Sequence, residues 1–189
     1  MNYTNKEALN QLSQVLTITP QQYVNALLTL HDKLDDKKVK WIVSGDLAER
    51  LRTVKVEPDC IEIVTSKVDA EKICLAVQEF KPQKISVQTQ QLPRNVVIEK
   101  KEYPVYARSH YFEFNVNGVN VKVEGDLQFK VGDWDWGDIF DFIPEYVYVA
   151  GKKTAVTPLP IQFELYQTLG WTDRAEKISQ VIKKPLLYT

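Results

Sequence analysis

This 189-residue sequence has few cysteines and no excess of charge of either sign. Its two cysteines, Cys60 and Cys74, are too few for a disulfide framework and lack the spacing of a metal site. We expect both to be small buried hydrophobic residues. The formal net charge is -1, from 24 Lys and Arg against 25 Asp and Glu, which excludes the global basic field of a bulk nucleic-acid binder.

The sequence also lacks long apolar runs, internal repeats, low-complexity segments and a clear linker. Its first residues, MNYTNKEALNQLSQ, contain no apolar core of a signal peptide. We therefore expect no membrane segment and a cytoplasmic location. The apolar fraction of 44% is ordinary for a globular protein. We predict one domain over residues 1–189, with a core at 20–150 and C-terminal helices at 158–184.

The first part of the sequence alternates helical and extended patterns. Residues 20–37 carry apolar side chains at helical spacing, and Thr19 is the predicted N-cap. Residues 39–45 form an apolar strand that ends at Gly45 and leads into a short helix. The strand CIEIVT and a second amphipathic helix at 67–80 follow. The order is therefore strand, helix, strand, helix.

After Pro82 the pattern changes to the period of two that is typical of strands. Asn117-Gly118 separates two alternating runs, YFEFNV and VNVKVE, and predicts a hairpin because a type I′ turn needs positive φ at both central residues. A Trp-rich and Asp-rich loop, GDWDWGD, precedes another strand pair. Two helices separated by Gly170 close the chain. This order predicts an α+β fold with a mixed sheet backed by helices and a C-terminal helical pair.

Two glutamates share the non-core side of predicted strands. The period of two puts Ile61 and Ile63 on one face and Cys60 and Glu62 on the other. On its own strand, Glu124 likewise lies on the face opposite to the core residues. If the two strands are neighbours, Glu62 and Glu124 converge and offer hard oxygen ligands to a divalent cation. The alternative is a pair of solvated carboxylates on an exposed sheet face.

A resemblance to a known family strengthens the first interpretation. The run WIVSGDLAERL, a turn, CIEIVTS, a helix, a hairpin and VKVEGD are similar to the minimal nucleotidyltransferases of the DNA polymerase beta superfamily. The closing segment PLPIQFELYQTLGWTDRAEKI resembles the helical tail of small bacterial and archaeal members. The resemblance covers roughly residues 27–184. In that family, acids on two strands hold magnesium ions and a Gly-Ser turn holds the triphosphate.

The resemblance implies transfer of a nucleoside monophosphate from a Mg²⁺-bound nucleoside triphosphate to an acceptor, with release of pyrophosphate. By position, Gly45 matches the motif glycine and Asp46 the serine. Cys60 and Glu62 match the paired acids, and Glu124 matches the third acid. The resemblance thus implies catalytic roles for Glu62 and Glu124. Gly45, Asp46 and Arg50 are the implied nucleotide-binding residues.

Two of these positions depart from the family pattern. A carboxylate at Asp46 repels a triphosphate, and a protonated thiol at Cys60 is a poor ligand for Mg²⁺. Two replacements for the missing ligand remain open. A bulge at the strand start would turn Asp59 inward, or Asp46 itself would join Glu62 and Glu124. The candidate metal ligands are therefore Asp46, Asp59, Glu62 and Glu124.

The departures leave two functions open. One is metal-dependent nucleotidyl transfer to an unidentified acceptor. The other is a catalytically inactive module that senses a nucleotide or docks a protein partner. Trp134 and Trp136 either stack on a base or a partner or fold back over the core. The sequence leaves a nucleic-acid or protein partner open.

Overall fold

The computed structural model describes residues 19–183, and the strands and helices of this part follow the predicted order. The strands are β1 (Ile42–Ser44), β2 (Ile61–Thr65), β3 (Ser86–Gln91), β4 (Val96–Ile98), β5 (Lys101–Tyr103), β6 (Val105–Val116), β7 (Val119–Val131), β8 (Glu145–Val149) and β9 (Lys152–Val156). The α-helices are α1 (Gln21–Leu34), α2 (Gly45–Leu51), α3 (Lys67–Ala76), α4 (Leu159–Thr168) and α5 (Thr172–Ile182). The predicted α+β class is confirmed.

Seven of the strands form one mixed sheet in the order β3-β6-β7-β2-β1-β9-β8. Strand β2 is antiparallel to β1 and parallel to β7, so the two predicted acid-bearing strands are direct neighbours. Strands β4 and β5 form a separate two-stranded sheet. The predicted mixed sheet, which joins β1, β2 and the hairpin, is therefore confirmed.

One face of the central sheet is the core face. Ile61 and Ile63 of β2 and Val121 and Val123 of β7 are fully buried there. Helices α1 and α3 pack on this face through residues such as Leu27, which is also fully buried. Alternation sends Glu62, Lys122 and Glu124 to the opposite face. The period of two in the sequence is thus the physical reason that the polar groups share one surface.

The predicted hairpin at Asn117-Gly118 joins β6 and β7, and both turn residues have positive φ. Both strands are longer than the sequence pattern predicts. The alternation of β7 is interrupted at Asp126, which has positive φ, and the register between β6 and β7 shifts between Arg108 and His110. In the sequence, Leu127, Phe129 and Val131 continue the alternation, but the turn-type dipeptide Gly125-Asp126 separates them from the first half of β7.

A second hairpin, β4–β5, turns at Glu99 and Lys100, both with positive φ. Neither turn residue is glycine or asparagine, so the sequence carries no local signal for it. The predicted N-cap of α1 is also wrong. Pro20 is at the N-cap position without a side-chain hydrogen bond, and the buried Thr19 Oγ1 has no partner.

Residues 132–144, which contain the Trp-rich loop, form neither helix nor strand. Trp136 lies under Arg108, whose guanidinium carbon is 4.3 Å from the ring centre, whereas Trp134 is 58% exposed. One tryptophan therefore folds back onto the sheet and the other faces solvent. No helix within residues 19–183 has both the length and the apolar character needed to cross a membrane.

Candidate functional site

The turn from β1 into α2 brings Ser44 and Gly45 against Glu62. The antiparallel register of β1 and β2 pairs Ser44 with Glu62. Gly45 has a φ of +62°, and a Cβ added there would lie 2.7 Å from the Glu62 carboxyl carbon. Only glycine leaves room for this carboxylate and adopts this backbone conformation without strain. The glycine of the motif is thus explained by the position of Glu62.

Beside Glu62 on the neighbouring strand lies Lys122, not Glu124. The parallel register of β2 and β7 pairs Glu62 with Lys122 and Val64 with Glu124. Glu124 is therefore two residues further along the strands, about 6.6 Å away at the usual rise. Cys60 Sγ lies 3.8 Å from Glu62 Oε1, and the thiol is buried. Two carboxylates, an ammonium and a thiol share this patch of the sheet.

Burial governs the ionisation of the two carboxylates. Burial raises the pKa of Glu124 to about 7, and the charge of Glu62 adds to the rise while Lys122 opposes it. Burial also raises the pKa of Glu62, again opposed by Lys122. Burial raises the pKa of the Cys60 thiol, so the thiol is neutral at physiological pH. The site therefore favours uncharged forms of its acids.

These groups line a cavity of about 520 Å³. Its polar lining includes Ser44, Gly45, Glu62, Lys122 and Glu124. Its apolar and aromatic lining includes Leu92, Phe140, Leu165, Tyr166, Leu169 and Trp171. The volume is within the range of small-molecule sites.

Trp171 and Tyr166 form the aromatic wall. Their ring centres are 5.5 Å apart with an interplanar angle of 24°, which is a stacked arrangement. The Trp171 Nε1 atom is buried and has no hydrogen-bond partner in the described chain. A buried donor without a partner costs free energy.

Arg174 of α5 connects the C-terminal helices to the motif helix α2. Its guanidinium forms ion pairs with Asp46 and, at 2.7 Å, with Glu49 Oε1. Glu49 is fully buried and also accepts a hydrogen bond of 2.6 Å from the Tyr166 hydroxyl. Burial raises the pKa of Glu49, and the charge of Arg174 opposes this rise. Arg174 thereby fixes α5 at the border of the cavity.

The four predicted metal ligands are not brought together in this conformation. Asp46 pairs with Arg174, and Asp59 is exposed. Glu62 and Glu124 both line the cavity. In residues 19–183, no group of three or more His, Cys, Asp or Glu side chains is arranged to hold a metal ion. The roles of these four residues stay predictions.

The predicted nucleotide-binding residues also separate. Gly45 borders the cavity, whereas the Arg50 guanidinium donates to the Val56 carbonyl at 3.2 Å and lies 3.4 Å from the Glu57 carboxylate. Arg50 lines a different pocket, on another part of the surface. Four residues that line the cavity were not predicted from the sequence as site residues: Ser44, Lys122, Arg174 and Trp171. Only Lys122 had a local signal, because it shares a strand face with Glu124.

The donor set does not fit a magnesium ion. Mg²⁺ prefers charged oxygen ligands in an octahedral arrangement. Here one of the paired acid positions is a neutral thiol, Cys60, and the neighbour of Glu62 across the sheet is the cation Lys122. A second positive charge beside Lys122 is repelled.

Comparisons with known proteins agree with this fold. A protein from Thermotoga maritima that is assigned to the nucleotidyltransferases aligns over 88% of this chain and 96% of that chain, with 27% identity and a TM-score of 0.63. The structure of ANT(2'')-Ia in complex with adenylyl-2''-tobramycin aligns over 85% and 89% of the two chains, with 8% identity and a TM-score of 0.49. A search among curated proteins found no match.

The family comparison identifies the chain more directly. Residues 26–180 match the aminoglycoside-2''-adenylyltransferase family, which is most of the chain. The match includes both acid-bearing strands and nearly all of the C-terminal helical pair. The resemblance to the nucleotidyltransferase superfamily is therefore confirmed. The chain belongs to the aminoglycoside-2''-adenylyltransferase family.

Proposed function

We propose that this protein binds a nucleoside triphosphate in the cavity between the sheet and the C-terminal helices, without transferring the nucleotide. The observation that carries this proposal is the mixed lining of the cavity. It offers a hydroxyl and an ammonium from Ser44 and Lys122 together with the stacked rings of Tyr166 and Trp171. A nucleotide needs both kinds of group, because its phosphates are anionic and its base is aromatic.

The wall formed by Tyr166 and Trp171 supports binding of the base. Stacking of a base on an aromatic side chain contributes about 1–3 kcal/mol and tolerates any base. Leu92, Leu165 and Leu169 add apolar surface around the ring plane.

The charged lining supports binding of phosphates. Three cations, Lys122, Arg94 and Arg174, line the cavity together with the two carboxylates Glu62 and Glu124. The acidic and basic side chains of the lining therefore do not add up to a negative charge. Ser44 has no capping hydrogen bond to α2, so its hydroxyl is available to a ligand.

The poor fit to Mg²⁺ argues for binding without transfer. The transfer reaction that the resemblance implies depends on metal-bound acids, and the Cys60 and Lys122 positions oppose a metal. This function corresponds to the catalytically inactive, nucleotide-sensing module that the sequence left open. It retains the family fold and a nucleotide pocket, and it needs no acceptor.

Nucleotidyl transfer is the second candidate. The family match over residues 26–180 and the retained pair Glu62 and Glu124 favour it. The reaction would move a nucleoside monophosphate to an acceptor and release pyrophosphate. The family points to an aminoglycoside hydroxyl as the first acceptor to assay.

Calorimetric titration with ATP, GTP, CTP and UTP tests nucleotide binding. We expect saturable binding in the wild type and at least about fivefold weaker binding in Trp171→Ala, because a stacking contribution of about 1–3 kcal/mol is lost. Trp134→Ala is the matched control, since Trp134 is exposed outside the cavity. Absence of binding in the wild type, or equal losses in both variants, contradicts the proposal.

A turnover assay then separates the two candidates. Pyrophosphate release is measured with ATP and an aminoglycoside in the presence of Mg²⁺ or Mn²⁺. We expect no release above background. Release that Glu62→Gln abolishes would establish the transferase and overturn the non-catalytic proposal.

A further inference from the structure

Lys122 lies on the sheet directly beside Glu62. A metal-ligating side chain at this position would complete a metal site with Glu62. The parallel register places Lys122 directly beside Glu62, and both side chains line the cavity. Neighbouring strands lie about 4.8 Å apart, so the side chains of paired residues on one face reach the same volume. Glu124 pairs with Val64 instead and is displaced along the sheet.

The charge of Lys122 is not neutralised by an ion pair. Of the three cations that line the cavity, Arg94 is paired with Asp173 and Arg174 with Asp46 and Glu49. Within residues 19–183, Lys122 has no carboxylate partner at ion-pair distance. Burial lowers the pKa of Lys122, but its interactions with Cys60, Glu62 and Asp59 raise the pKa above its ordinary value, so the ammonium stays charged. A cation in a partly desolvated cavity needs an anionic partner, and a ligand phosphate would supply one.

We propose that the Lys122 ammonium is the resident cation of this site, and that it binds the ligand phosphates in place of a divalent metal ion. This inference rests on the proposed nucleotide binding and specifies how the phosphates are held. It also explains Cys60. In the family pattern, two acids on this strand hold the metal. An ammonium at residue 122 does not require a second acid on β2, so a neutral thiol is tolerated at residue 60.

The first experiment compares ATP binding in EDTA and in Mg²⁺ by calorimetry. We expect the wild-type affinity in EDTA to lie within about threefold of that in Mg²⁺. We expect Lys122→Met to weaken binding in EDTA at least about tenfold, because one charge-assisted contact is lost. Lys122→Arg keeps the charge and should retain most of the affinity. Lys101→Met, on the exposed strand β5, is the control.

Wild-type binding that requires Mg²⁺, or that is unchanged by Lys122→Met, overturns the role of Lys122 and leaves nucleotide binding intact. Absence of ATP binding under both conditions overturns the proposed function itself. The two failures are therefore distinguishable. Thermal unfolding of each variant verifies that the affinities are compared between folded proteins.

The second experiment uses Mn²⁺ alone, detected by electron paramagnetic resonance, and does not depend on nucleotide. We expect no Mn²⁺ site in the wild type and one site in the double variant Cys60→Asp/Lys122→Glu, which restores two carboxylates around Glu62. If the double variant fails to fold, Lys122→Glu alone is measured, with Glu62 and Glu124 as the remaining acids. A wild-type Mn²⁺ site that Glu124→Gln abolishes, or no gain in the folded variants, overturns the inference.

Discussion

The carboxylate of Glu62 occupies the space that a side chain at residue 45 would need, so Gly45 and Glu62 are sterically coupled. The coupling joins the start of α2 to the second residue of β2. It ties the backbone of the motif turn to the position of one acid. A change at either residue therefore alters the geometry of the polar lining of the cavity.

Gly45→Ala is expected to move Glu62 and to weaken ligand binding. The stability cost should be about 1–2 kcal/mol, because alanine is strained at positive φ and the flexible carboxylate can swing away. Gly118→Ala is the matched control, since Gly118 also has positive φ but no atom lies within 4 Å of its added Cβ. Chemical denaturation and ATP titration measure both effects. A loss of affinity in both variants would contradict the steric coupling.

Glu124 is expected to make stability depend on pH. Its pKa is about 7 in the folded chain against an ordinary value of 4.5, so the folded state favours the protonated form. The resulting stabilisation is complete below about pH 4 and is lost as pH rises to about 7. Between pH 4.5 and pH 8 the wild type should therefore lose about 2–3 kcal/mol of its free energy of unfolding. Glu124→Gln, which cannot titrate at this position, should not show this loss.

Urea denaturation at several pH values measures this loss. Glu176→Gln, at an exposed position on α5, is the control and should show the same loss as the wild type. A difference between wild type and Glu124→Gln that is constant across pH would show that Glu124 titrates normally.

Arg174→Met is expected to destabilise the fold by about 3 kcal/mol or more, because Glu49 would be left as an unpaired buried carboxylate. Adding Glu49→Gln should recover part of the loss. Arg94→Met breaks an exposed ion pair with Asp173, which solvent screens, and should cost much less stability than Arg174→Met. Urea denaturation compares the three proteins. Equal costs for the two arginines would show that Glu49 does not depend on Arg174.

Helix caps provide a test that is independent of the cavity. Ser66 is the N-cap of α3 and accepts a hydrogen bond of 3.1 Å from the Asp69 backbone amide. Ser66→Ala should cost about 1 kcal/mol. Thr19→Val, at the position that the sequence favoured as a cap, should be neutral or stabilising because its buried hydroxyl has no partner. Thermal denaturation of both variants decides whether Thr19 caps α1.

Local patterns in the sequence determined most of the secondary structure. The helical spacing of apolar residues, the alternation in CIEIVT and VNVKVE, and the Asn117-Gly118 turn act through neighbouring residues, so they can be read along the chain. Alternation also placed Glu62 and Glu124 on the non-core side of their strands. The β4–β5 hairpin was not predicted because its turn lacks a local signal. The second half of β7 was not predicted because Gly125-Asp126 has the composition of a turn.

Which groups share the cavity depends on contacts between distant parts of the chain. The pairing of Glu62 with Lys122 depends on the register between β2 and β7, which are 60 positions apart at this pair. The ion pair of Arg174 with Asp46 joins residues separated by 128 positions. Such pairs follow from how the sheet and the C-terminal helices pack. The sequence by itself fixed the face on which each side chain lies, while long-range packing chose its partners, because register and docking are properties of the whole chain.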